Sequence, residues 1–186
     1  FHSYATLAIV HNHQRYEVAL TFVWADESMD QVVDRLLDQA RHLGLRLRRA
    51  YLDKGFCRRE VFTLLRKRRL PYLIPIPVKG KDGGIRQLFT GRHSYRTTYT
   101  FNADKPQAYT TDVIVIRRYS KGRYGRHGSE WFVYAAYGMD AVPLHPNLWH
   151  AGASVLVDFG TDEATHTTFP GIPMGHYRNA ASRHPS

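Results

Sequence analysis

The sequence predicts an α/β fold: a mixed sheet with flanking helices and an inserted antiparallel β region. Three observations lead there. Through residues 1–78, hydrophobic spacing switches between a period of two and a period near 3.6, giving the order β-β-α-β-α-β. At Lys79 the texture changes to Gly- and Lys-rich punctuation followed by short aromatic and Thr-rich runs, which suits an antiparallel insertion over 79–138. From residue 139 to 186 no period is sustained and prolines recur, so this tail is expected to be largely irregular.

Each element has its own signal. Tyr4 to Val10 and Tyr16 to Trp24 are rich in β-branched and apolar residues, and the polar His11-Asn12-His13-Gln14 between them reads as a hairpin turn. Ser28 followed by Gln31 forms a capping box for a helix. Met29, Val32, Val33, Leu36, Leu37, Ala40 and Leu43 then line one face, and Gly44 ends it. Leu45 to Leu52 alternates as a strand, with Arg46 and Arg48 opposite Leu45 and Leu47. A second helix is expected from Arg58 to Arg69, stopped by Pro71, and a strand from Tyr72 to Ile76. Within the insertion, strands are expected at Tyr95 to Phe101, Val113 to Tyr119 and Trp131 to Tyr137.

A chain of 186 residues with 43% hydrophobic and 23% charged residues can bury a core as one domain. No apolar run is long enough to span a bilayer, so no membrane partner is expected. A single cysteine, Cys57, excludes internal disulfides and fits a reducing cytoplasm. The chain begins at Phe1, directly in a strand-like run, as expected of a fragment. Its net charge of +10 is unevenly spread. Residues 41–69 hold 11 basic and 2 acidic side chains and residues 79–126 hold 11 and 3, whereas both ends are net acidic. Arginine supplies most of this charge, and its planar fork suits phosphate oxygens. DNA is the expected partner, and a solvated basic face is the plainer alternative.

Asp53 closes the third strand, next to Gly55 and just before the most basic helix. A carboxylate there can hold a divalent cation, although aspartate before a turn is also an ordinary helix-entry residue. Tyr51-Leu52-Asp53-Lys54-Gly55-Phe56-Cys57, the following Val-Phe-x-x-Leu helix and Leu70-Pro71-Tyr72-Leu73-Ile74-Pro75-Ile76-Pro77 resemble the second-aspartate region of DDE-type transposases of prokaryotic insertion sequences. The opening Phe1-His2-Ser3-Tyr4-Ala5-Thr6, then Gly91-Arg92-His93-Ser94-Tyr95 and Lys121-Gly122-Arg123-Tyr124-Gly125-Arg126 agree with the same family. The resemblance covers about residues 1–138.

It implies a ribonuclease H-like core over 1–78 lacking its first strand, a β-rich insertion over 79–138 and a divergent tail. It also implies a chemistry in which three carboxylates hold two Mg²⁺ (or Mn²⁺) ions for DNA cleavage and strand transfer. Asp53 carries over as the second carboxylate and a metal ligand. The first aspartate precedes the matched region. For the third acid, Asp162 or Glu163 in Phe159-Gly160-Thr161-Asp162-Glu163 competes with Glu130, which has half the expected signature. With an incomplete triad, the fragment is expected to be inactive alone. A non-catalytic DNA-binding remnant acting at transposon ends is the rival.

Lys54, Arg58, Arg59, Arg92, Arg96, Lys121, Arg123 and Arg126 are the expected DNA contacts. The implied partners are transposon ends and target DNA, with homo-oligomer formation a further expectation and the nucleoid as the site of action. The eleven histidines show no ligand spacing for zinc. Cys57 is expected to pack rather than react.

Overall fold

The computed structural model describes residues 3–11, 14–121, 127–139 and 154–160. The first antiparallel pair is β1 (Ser3–His11) and β2 (Gln14–Val23). Helix α1 (Met29–His42) follows, then β3 (Ala50–Leu52), α2 (Arg59–Lys67) and β4 (Tyr72–Pro75). The rest is β5 (Tyr95–Phe101), β6 (Tyr109–Lys121), β7 (His127–Tyr137) and β8 (Ser154–Gly160). The mixed α/β class expected from the sequence is thus observed. The eight strands of the described residues form one sheet in the order β2-β1-β8-β3-β4-β7-β6-β5.

Local chemistry explains the helix ends. Gln31 Oε1 accepts from the Ser28 backbone N–H at 3.0 Å and from its hydroxyl at 3.1 Å, so the capping pair forms. At the other end Gly44 takes φ 73°, its N–H donates to Arg41 O, and Leu45 N–H donates to Ala40 O. This is the Schellman arrangement that glycine favours. Helix α2 ends the same way with Arg69 at φ 53°, where a side chain is strained by roughly 1–2 kcal/mol.

Both helices cover one face of the sheet. Val32, Val33, Leu36, Val61, Phe62 and Leu65 pack with Leu7, Ala50, Leu52, Tyr72 and Ile74, all fully or almost fully buried. Alternation sends Tyr51, Leu73, Ile114, Tyr134 and Ala136 to the opposite face, where they form a second buried cluster. Arg35 clamps α1 to the edge strand, donating to Thr21 Oγ1 at 2.6 Å, Phe22 O at 2.7 Å and Glu27 Oε2 at 2.8 Å. That bond holds the Glu27 carboxyl below its ordinary range. Arg68 joins the two helices through Asp34 at 2.7 Å and Asp38 at 2.8 Å.

One expected strand is shorter than its alternation suggested. Residues 45–49 keep their alternation, with Leu45 and Leu47 half-buried and Arg46 and Arg48 exposed, but only Ala50–Leu52 is a strand. Among the described residues the ladders on both sides of β3 begin at Ala50. The region expected to be antiparallel forms the antiparallel pairs β5–β6 and β6–β7, and β7 pairs with β4, so it continues the same sheet. The tail expected to be largely irregular contributes β8, which fills the slot between β1 and β3 and finds ladder partners on both sides.

Two strands outrun their neighbours. Pairing of β5 to β6 stops at Tyr95↔Val115, and pairing of β4 to β7 stops at Pro75↔Tyr134. Beyond those points, β6 and β7 continue together as a two-stranded ribbon to Lys121↔His127.

Candidate nucleic-acid interface and carboxylate edge

Asp53 lies just past the carboxyl end of β3, half-buried and in extended backbone at φ −70° and ψ 163°. Its Oδ1 accepts from the Lys54 N–H at 2.6 Å, and its carbonyl accepts from the Phe56 N–H at 3.0 Å. These bonds start a 3-10 turn over Lys54–Phe56, which the fully buried Phe56 ring anchors beneath the sheet edge. Asp53 therefore performs the capping job that its position before a turn suggested. Cys57 follows, mostly buried, and desolvation pushes its thiol up to about 12 although Lys79 opposes the shift. It is a packed, protonated sulfur at neutral pH, as expected of a structural cysteine.

Three parallel strands, β8, β3 and β4, end at this edge. Leu52 pairs with Val157 as the last pair of the β3–β8 ladder, and Asp53 and Asp158 are the residues that follow these two in the chain. On its other side Asp158 pairs with Thr6 of β1. Sequence reasoning missed Asp158. Its place beside Asp53 depends on pairing between segments far apart in the chain, and no local motif marks it.

Cations surround the edge. Lys54, Arg58 and Arg59 are exposed, the last at the start of α2. These three expected contacts lie together with Asp53. Arg92 is exposed on a loop beside the β6–β7 ribbon, at a different place in the fold. Arg96 is exposed overall, and its guanidinium donates to the Met139 carbonyl at 2.9 Å. Lys121 ends β6, and Arg123 and Arg126 lie outside the described residues. Lys79, Lys81 and Arg86 are further exposed cations that sequence reasoning left out, although they sit in the same basic stretch.

Among the described residues no third carboxylate is brought in. Glu130 lies on β7, beyond the end of β4, and accepts from Arg118 at 3.0 Å. Asp162 and Glu163 lie outside the described residues. Among the described residues no group of three or more His, Cys, Asp or Glu side chains could hold a metal ion, so the donors do not meet what two ions require. A cleft of about 650 Å³ opens between Val78, Arg86, Phe89, Arg118, Glu130, Trp131 and Phe132 and includes none of the residues around Asp53. Among the described residues no helix is long and apolar enough to cross a membrane.

Comparison leaves the chain by itself. No protein-family model matches it, and neither the curated proteins nor the solved structures include a significant match.

Proposed function

We propose that this chain is part of a DDE-type transposase of a prokaryotic insertion sequence, with a ribonuclease H-like core. Its basic edge would hold the DNA backbone at the nucleoid, and the part present would not cleave DNA alone. Strand order supports this most. An antiparallel β2-β1-β8 set joined to parallel β3 and β4 brings Asp53 and Asp158 to adjacent positions on one edge. Two-ion phosphodiester chemistry needs several carboxylates converging on one place, which the ends of neighbouring strands can supply. The exposed Lys54, Arg58 and Arg59 supply the complementary half, because a scissile phosphate must be held beside such a strand end. Inactivity would follow from the want of a third acid beside the two aspartates among the described residues.

Two measurements on the purified chain test this. Binding to a duplex of arbitrary sequence should weaken linearly on a log–log plot against salt, with or without Mg²⁺. Supercoiled plasmid should remain intact in Mg²⁺ or Mn²⁺. Nicking that disappears in Asp53→Asn and Asp158→Asn would overturn the inactivity. Absence of salt-dependent duplex binding would overturn the whole reading.

A further inference from the structure

Arg117 belongs to the basic insertion, yet every contact it makes points back into the protein. Its guanidinium lies over the rings of Tyr119 at 4.8 Å and Trp131 at 4.9 Å. Nη1 donates to the Gly91 carbonyl and Nη2 to Ser129 Oγ at 3.3 Å. Its backbone N–H donates to Ser94 Oγ at 3.0 Å, and the neighbouring Tyr119 hydroxyl donates to the Arg92 carbonyl at 2.8 Å. One stretch of β6 thus fastens both ends and the middle of the loop Gly91–Ser94. Gly91 takes φ 78° with open space around it, a turn that leaves Arg92 and His93 exposed. Without these bonds the loop would have no ladder to order it, and a phosphate meeting Arg92 would have to order it during binding.

We propose that Arg117 is a positioning residue for DNA: it makes no phosphate contact and fixes the Gly91–Ser94 loop so that Arg92 makes one. The inference rests on the DNA-binding reading above and assigns Arg117 a role distinct from that of the exposed cations. A flat guanidinium lying over two rings can still donate from its edge to two acceptors at once. A lysine ammonium cannot reproduce that geometry while keeping the same charge.

Duplex affinity and its salt slope would be measured for the intact chain, Arg92→Ala, Arg117→Gln, the double variant and Arg117→Lys. Arg92→Ala should weaken binding about three- to tenfold and flatten the slope by about one unit. Arg117→Gln should reproduce both changes, the double variant should match Arg92→Ala, and Arg117→Lys should not rescue. Tyr119→Phe removes one bond to the loop without changing charge. It should cost less and have no effect in the Arg92→Ala background, which keeps the test decisive if Arg117→Gln fails to fold.

Losses that multiply in the double variant, affinity restored by lysine, or an undiminished Tyr119→Phe effect without Arg92 would each overturn the proposal. Those results, with the unaltered chain still binding duplex, leave the DNA-binding reading standing. Loss of binding in the unaltered chain removes both.

Discussion

The edge around Asp53 and the β6–β7 ribbon are both rich in cations, and the two regions use them in opposite ways. At the edge, Lys54, Arg58 and Arg59 are exposed on a turn held by other groups, the Asp53 cap and the buried Phe56. On the ribbon, Arg118 pairs with Glu130 and lies 5.5 Å over the Phe132 ring, while Arg117 is spent on the neighbouring loop. Between the regions Arg66 is sandwiched at 5.3 Å from both the Tyr109 and Tyr137 rings and donates to Thr111 Oγ1 at 3.1 Å. Net charge measures attraction to a polyanion, and geometry decides which charges remain available to meet it.

The contrast can be broken most forcefully at Phe62. Its ring stacks on Tyr72 and on Tyr109 at 5.6 Å and meets Phe101 at 6.0 Å, so it ties α2 to both halves of the sheet. Phe62→Ala should cost about 3–5 kcal/mol in urea unfolding. The loss should appear in a single transition followed by any probe, because the two regions share one sheet and one core. Two separate transitions would show that the insertion is an independent unit.

Next in size is the effect on binding. Replacing Lys54, Arg58 and Arg59 together by alanine should flatten the salt slope of duplex binding by about two to three units. Arg118→Ala should change it by a small fraction of a unit, since its charge is already paired. Equal effects would erase the distinction between exposed and occupied cations. The smallest change concerns Arg69, a cation whose strained backbone sets it apart from the others. Arg69→Gly should raise stability by about 1 kcal/mol in the same urea assay. Its salt slope should change by no more than one contact.

How much of this was legible depended on how local the determining interactions are. Helix α1 could be read from Ser28, Gln31, its apolar period and Gly44 because every one of those signals acts within a turn of the residue it controls. The β5 limits, Tyr95 and Phe101, were equally plain. Residues 45–49 misled because alternation records which side chains are buried and says nothing about whether a neighbouring strand is in reach. Within the candidate site, Asp53 and its cationic flank were visible as a motif. Asp158 was hidden in a tail without periodicity, and its partners are Thr6 by pairing and Asp53 by adjacency. Arg117 and Arg92 look alike in sequence, and only the fold separates the one that anchors from the one that is displayed.

The central position of β8 has a kinetic side. Ala5 and Phe159 are ladder partners although nearly the whole chain separates them, so the sheet closes through contacts of very high sequence separation. Such closure is slow, because the entropy of a long loop must be lost before any pairing compensates for it. Until β8 emerges from the ribosome, β1 and β3 face an empty groove with unpaired backbone on both walls. Open strand edges of that kind are the features most exposed to strand exchange between neighbouring chains until β8 arrives.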